Sequence, residues 1–145
     1  MRGTDGAFLL GRLLFGGFFV YSGINHFQNA EGLTGYAASQ GVPLPALAVL
    51  GTGLLMLVGG LLVAAGAWPR VGLALLIVFL VGVTPVMHAF WTIPDPQMAQ
   101  MQRAYFLRNL ALLGASLALL AVPTPWPLGL GGRFVRAREA GGARP

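Results

Sequence analysis

Four long apolar stretches limit the possible folds of this chain more than any other feature of its sequence. They lie at residues 7–27, 46–67, 71–91 and 103–122. Asp95 and Pro96 are typical of an N-cap and a first helical residue, so we expect the fourth helix to start near Pro96, outside the membrane. A helix rises about 1.5 Å per residue, so about 20 residues cross the hydrocarbon core of a bilayer. Lipid offers no hydrogen-bond partner to an exposed backbone, whereas a helix satisfies its own backbone groups. The sequence therefore predicts an all-α integral membrane protein, a four-helix bundle with up-down-up-down topology.

The composition excludes several other classes of protein. Only 9% of the 145 residues are charged and 56% are hydrophobic, whereas about a quarter of a typical soluble domain is charged. This excludes a soluble nucleic-acid-binding domain, despite the net charge of +5. The absence of cysteine removes disulfides, thiolate nucleophiles and iron–sulfur clusters from this chain. We expect one transmembrane domain at 1–128 and a basic tail at 129–145.

The arginines predict the orientation of the bundle. With four spans, the two termini and the turn at 68–70 share one side of the membrane. Basic residues favour the cytoplasmic side, so we predict that both termini are cytoplasmic in a multi-pass protein of the bacterial inner membrane. Arg103 and Arg108 lie on the other side, whereas seven of the nine arginines lie on the side of the termini: Arg2, Arg12, Arg70, Arg133, Arg136, Arg138 and Arg144.

Polar side chains inside membrane spans are energetically unfavourable, so those that are present indicate candidate functional sites. Helices one and three run outward and helix four runs inward, so their polar residues are predicted at a similar depth near the outer side. The predicted outer loop at 28–45 adds Glu31 and Tyr36 on this side, and the other outer loop adds Asp95. The predicted cluster comprises Asn25, His26, His88, Tyr105, Arg108 and Asn109.

Arg12 lies near the opposite end of the first helix, on one stripe with Gly16, Phe19, Gly23 and His26. The two glycines would let a partner helix or a flat ligand approach the backbone. We include Arg12 among the candidate ligand-binding residues. The alternative is that its side chain extends to the cytoplasmic headgroups.

Several chemistries fit such a cluster. A quinone headgroup needs a flat apolar slot and hydrogen-bond donors to its two oxygens, which His, Tyr, Arg and Asn can supply. Haem would require His26 and His88 to face each other, and a metal would require Glu31 as well; we expect neither. The remaining alternative is a structural hydrogen-bond network that fixes helix packing.

Five segments of the chain, taken in order, resemble the DoxX family of membrane proteins. They are Gly11–Gly16, Tyr21–Phe27, Gly41–Pro45, His88–Trp91 and Phe106–Gly114. The resemblance implies a four-helix bacterial inner-membrane protein linked to respiratory redox chemistry. Relatives include the membrane subunit of a thiosulfate:quinone oxidoreductase, and members are described in complexes with soluble enzymes.

Residue matching within this resemblance carries over Arg12, His88, Arg108 and Asn109. The family often has Lys where this sequence has His26. This departure argues against His26 as an obligatory haem or metal ligand.

The leading hypothesis is a quinone-interacting membrane subunit of an oxidoreductase complex, not catalytic alone. His88 and Arg108 would hold the quinone oxygens, with Tyr105, Asn109 and His26 completing the pocket. The alternatives are a non-catalytic membrane anchor or assembly factor, and a small lipid or anion transporter. Expected partners are membrane lipids, a quinone or other small apolar ligand, a soluble oxidoreductase and a second copy of the chain, but not nucleic acid.

Overall fold

A computed structural model describes residues 3–132, which form five α-helices and no strand in that range. A short 3-10 turn at Phe90–Thr92 separates the last two helices. Four of the five helices are long and apolar enough to cross a membrane, so the predicted all-α membrane fold is confirmed. The helices are α1 (Gly3–Gln28), α2 (Ala30–Ser39), α3 (Pro45–Ala65), α4 (Pro69–Met87) and α5 (Pro96–Leu120).

Glycines bring α1 and α3 into backbone contact. A Cβ atom added to Gly16 would lie 2.6 Å from the carbonyl oxygen of Gly60, and one added to Gly23 would lie 3.0 Å from that of Gly53. Contact positions rise along α1 while they fall along α3, so the two helices are antiparallel. The glycine stripe of the first helix therefore admits a partner helix, one of the two roles predicted for it, as small residues commonly do in membrane bundles.

The remaining helices extend this packing in chain order. α3 packs against α4 through Gly59 and Gly72, and the turn between them is short enough to require antiparallel neighbours. α4 then packs against α5. Within residues 3–132, α1 and α5 do not pack closely against each other. The bundle is therefore less tightly closed between its first and last helices. Its buried core comprises Phe19, Met56, Val63, Leu73, Leu76, Phe79, Leu80 and Trp126.

The predicted outer loop at 28–45 contains a helix, α2, that the hydropathy pattern did not indicate. No proline interrupts residues 28–42, and Gly41 ends the helix with a positive φ of 74°. Leu33, Tyr36 and Ala37 lie at helical spacing and line a cavity. α2 thus covers one end of the bundle, called here the α2 end.

Two helix ends also differ from the predicted spans. α4 ends at Met87 instead of 91. α5 begins at Pro96, ahead of the apolar span of 103–122, which confirms the helix start predicted from Asp95 and Pro96: the Asp95 side chain accepts a 2.7 Å hydrogen bond from the Met98 N–H. This N-cap lengthens α5 beyond its apolar segment.

The chain after α5 folds back over the opposite end of the bundle, called here the Arg12 end. The Leu130 and Gly131 N–H groups donate 3.0 Å hydrogen bonds to the carbonyls of Ala65 and Gly66. The first residues of the predicted 129–145 tail are therefore attached to the α3–α4 turn. The rest of that tail, 133–145, lies outside the described residues.

Candidate functional site

A cavity of about 650 Å³ lies at the α2 end, lined by residues from all five helices. Its walls are mainly apolar and include Phe19, Met56, Phe79 and Leu112. Phe18 of α1 and Arg108 of α5 both line it, which places it beside the pair of helices that do not pack closely. Mainly apolar walls with a few polar groups are typical of small-molecule sites.

His88 begins a chain of hydrogen bonds that joins three helices. It follows the last residue of α4, and its Nδ1 lies 2.7 Å from Oε1 of Gln102 on α5. The Gln102 Nε2 group donates to the Tyr36 hydroxyl of α2 at 3.1 Å. That hydroxyl donates to the Met87 carbonyl at 3.1 Å. The chain fixes α2 and α5 to the end of α4.

A second polar contact joins α4 to α5 about one helical turn from His88. The Asn109 Nδ2 group donates to the Thr84 hydroxyl at 3.2 Å, and both residues are buried. The Asn109 Oδ1 atom accepts hydrogen bonds of 3.4 and 3.3 Å from Nε and Nη2 of Arg108. Asn109 therefore holds the guanidinium while it ties the two helices together.

Aromatic rings surround the Arg108 guanidinium. Its central carbon lies 5.0 Å from the Tyr105 ring centroid and 5.8 Å from that of Phe18 on α1. Cation–π contacts of this kind stabilise a positive charge away from water. None of the acidic side chains in residues 3–132 forms an ion pair with Arg108. The positive charge is thus held beside the cavity without a neutralising carboxylate from the described part of the chain.

The predicted site residues divide into two groups. Asn25, His26, His88, Arg108 and Asn109 all line the cavity, so the structure brings these five together. The others do not line it. Tyr105 contacts the His88 ring at a centroid distance of 5.6 Å, and Glu31 is exposed on α2.

Arg12 is the predicted residue that lies farthest from this group, at the Arg12 end of α1. It is only 2% exposed. Its Nη1 and Nη2 groups donate to the carbonyls of Pro127 and Leu128 at 3.2 and 2.8 Å. The side chain does not extend to headgroups, as the alternative proposed, but is folded inward and attaches the segment after α5.

The comparison with known protein families gives a match over the first four helices. The DoxX family model matches residues 7–89, more than half of the chain. The chain belongs to the DoxX family. No curated protein and no solved structure gave a significant match. In this DoxX protein the family match includes His26 and His88 but ends before α5, which supplies Arg108 and Asn109.

Gln102 is the main site residue of this DoxX protein that the sequence-based prediction omitted. It is buried, as are Asn109 and Ser116, and these three are the buried residues of α5. They are separated by steps of seven residues, which places them on one face of a helix. That spacing is the signal that could have found Gln102. Tyr36 was predicted on the same side as the cluster but not as a site residue, because α2, which places it at the cavity, was not predicted.

Proposed function

We propose that this DoxX protein is the quinone-binding membrane subunit of an oxidoreductase complex in a bacterial inner membrane. One observation carries the proposal. The mainly apolar cavity at the α2 end is lined by a histidine, His88, and by Arg108, whose charge has no carboxylate partner in residues 3–132. A quinone headgroup is flat and largely apolar, with an oxygen at each end of the ring. Arg108 would donate a hydrogen bond to one of those oxygens, and His88 would lie at the other end of the ring.

The shape of the bundle supports this ligand class. A volume of about 650 Å³ is within the range of roughly 300–1,000 Å³ for small-molecule sites. Phe19, Met56 and Phe79 provide apolar walls for a ring. Since α1 and α5 do not pack closely, the apolar tail of a quinone would leave the cavity between them and enter the lipid.

The electrons would come from a partner protein. Reduction of a quinone to its quinol takes two electrons and two protons, and this chain has no cysteine to act as a thiol donor or to bind an iron–sulfur cluster. We propose that a soluble oxidoreductase supplies the electrons while this subunit supplies the membrane ligand site.

Binding of a short-tailed quinone tests the proposal. We expect a decyl-substituted 1,4-benzoquinone to bind the protein in nanodiscs, measured by equilibrium dialysis. We expect R108Q to weaken binding by about tenfold, the effect of losing one good hydrogen bond in an apolar site. R103Q is the matched control, because Arg103 lies on the same helix but does not line the cavity. Undetectable binding to the wild type, or unchanged binding to R108Q, would refute the proposal.

The unpaired charge of Arg108 also favours a second candidate, a protein that binds the carboxylate of a lipid or fatty acid. A carboxylate carries a full negative charge and would form a charge-assisted hydrogen bond with the Arg108 guanidinium, which is stronger than one to a neutral quinone oxygen. Palmitate that binds more tightly than the quinone, and that loses most of its affinity in R108Q, would favour this candidate. Absence of binding by both ligands would favour a non-catalytic anchor.

A further inference from the structure

The hydrogen-bond chain at the α2 end has a single possible direction. The Met87 carbonyl can only accept, so the Tyr36 hydroxyl uses its one hydrogen there. The oxygen of that hydroxyl must then accept from the Gln102 amide nitrogen. The Gln102 amide oxygen consequently faces Nδ1 of His88, 2.7 Å away. Since an amide oxygen can only accept, Nδ1 of His88 must carry a proton.

This direction determines what His88 offers to a ligand. In a neutral imidazole only one ring nitrogen carries a proton. With the proton on Nδ1, the Nε2 atom is an acceptor. Nε2 has no hydrogen bond to any group within residues 3–132, and His88 lines the cavity whereas Gln102 does not. A ligand in the cavity that reaches Nε2 of His88 would therefore meet a hydrogen-bond acceptor, and one that reaches Arg108 would meet a cationic donor.

We propose that Gln102 and Tyr36 act through His88 to make this site select the reduced quinol over the quinone. The selection rests on the quinone-binding function proposed above. A quinol carries hydroxyl groups, and one of them would donate to Nε2 of His88 while the oxygen at the other end of the ring accepts from Arg108. A quinone has two carbonyl acceptors, so one of its oxygens would face an acceptor. Gln102 and Tyr36 are thus positioning residues that set the specificity of the site.

Tighter binding of the quinol, which is the product of quinone reduction, would favour that reduction at this site. We expect the hydroquinone to bind about tenfold more tightly than the quinone, the effect of one hydrogen bond gained in place of an unpaired acceptor. For a two-electron couple, a tenfold preference raises the midpoint potential of the bound form by about 30 mV. The site would therefore draw electrons from the partner enzyme towards the membrane quinone.

The tautomer of His88 can be measured without any ligand. The chain has two histidines, so H26Q leaves His88 as the single labelled site for ¹⁵N NMR in nanodiscs. We expect a spectrum with Nδ1 protonated and Nε2 unprotonated. Q102L and Y36F in this background should give a mixture of tautomers, because each frees Nδ1 from an obligatory acceptor. Y105F is the matched control, since Tyr105 contacts the His88 ring without a hydrogen bond and should leave the tautomer unchanged.

Ligand preference is then measured with His26 in place. The probes are the decyl benzoquinone, its hydroquinone kept reduced under anaerobic conditions, and the dimethyl ether of that hydroquinone, which lacks the hydroxyl donors. We expect the hydroquinone to bind about tenfold more tightly than the other two in the wild type, and Q102L to lose most of this preference.

Each outcome decides a different claim. A His88 protonated on Nε2 in the H26Q protein would overturn the inference at its first step. Nδ1 protonation with equal binding of quinone and hydroquinone would overturn the selectivity but leave the quinone-binding function standing. Absence of binding by all three probes would refute that function and the selectivity together.

Discussion

At the scale of single residues, the contact between Asn109 and Thr84 joins α5 to α4 inside the bundle. Hydrogen bonds between membrane helices contribute about 0.6 kcal/mol on average and at most about 1.7 kcal/mol. We expect the double-mutant cycle of T84V and N109L to give a coupling energy in this range. The free energy of unfolding of the four proteins, measured in detergent with increasing SDS, provides the cycle.

A second cycle serves as the control. Ser116 is buried on the same face of α5 but donates within its own helix, to the Leu112 carbonyl at 2.8 Å. Because S116A removes no contact with Thr84, its effect and that of T84V should add. Coupling in this control as large as in the first cycle would mean that the Asn109–Thr84 bond has no special role.

Arg12 has a structural role that can be measured separately from ligand binding. Hydrogen bonds to charged groups contribute about 1.5–3 kcal/mol each, and Arg12 donates to two carbonyls of the segment after α5. We expect R12Q to speed hydrogen exchange at the amides of Leu130 and Gly131 and to lower the free energy of unfolding by about 2 kcal/mol. R12K should show nearly the same defect, because an ammonium lacks the planar fork that reaches both carbonyls.

R70Q is the comparison for this prediction, since Arg70 is exposed at the same end of the bundle. It removes one positive charge without removing a described contact to this segment. Equal exchange in R12Q and wild type would show that the segment holds its position without Arg12.

Much of the candidate site could be predicted from the types of residue within the apolar spans, but Gln102 could not. His88, Arg108 and Asn109 were predicted because ionisable and amide side chains are conspicuous within apolar spans. Gln102 lies before the apolar part of α5, in a segment where a polar side chain is common and does not indicate a site. Its burial depends on the presence of α2, which was not predicted and is a property of the fold.

At the scale of helices, the stability of the bundle depends on the close approach of α1 and α3. A Cβ atom added to Gly60 would lie 2.6 Å from the Gly16 carbonyl oxygen and 2.9 Å from the Val20 nitrogen. These neighbours are backbone atoms and cannot move aside independently. We expect G60A to lower the free energy of unfolding by more than about 2 kcal/mol, at the upper end of overpacking costs.

G51A is the matched control on the same helix. A Cβ atom at Gly51 meets nothing within 4 Å, and Ala favours a helix over Gly by about 0.5–1 kcal/mol. G51A should therefore unfold at the same SDS concentration as the wild type or a slightly higher one. If G60A and G51A had the same free energy of unfolding, the close α1–α3 contact would not determine the stability of the bundle.

α2 shows why helices could be only partly predicted from the sequence. The four spanning helices have a strong hydropathy signal because lipid requires it. α2 is short and mixed in composition, and it is defined by the three side chains that it places over the cavity. A ten-residue helix is marginal without such packing, so its presence depends on the bundle beneath it.

At the scale of the whole molecule, the rotation of each helix about its axis could not be predicted. In a soluble bundle the polar face marks the outside, but a lipid-facing side chain is as apolar as a core side chain. The hydropathy of α3 or α4 therefore does not distinguish the two faces. Small residues such as Gly16 and Gly60, and polar residues such as Asn109, provide the remaining information about which faces meet.

The orientation of the molecule in the membrane remains a prediction from the arginines, and the absence of cysteine makes it directly testable. Gln40 is exposed at the α2 end, and Thr124 is exposed at the Arg12 end. We expect a membrane-impermeant maleimide to label Q40C in intact spheroplasts and to label T124C only after the membrane is permeabilised. The reverse pattern would place the cavity end in the cytoplasm. Since the α2 end carries the candidate site, the labelling pattern also decides from which side of the membrane the proposed soluble electron donor would approach.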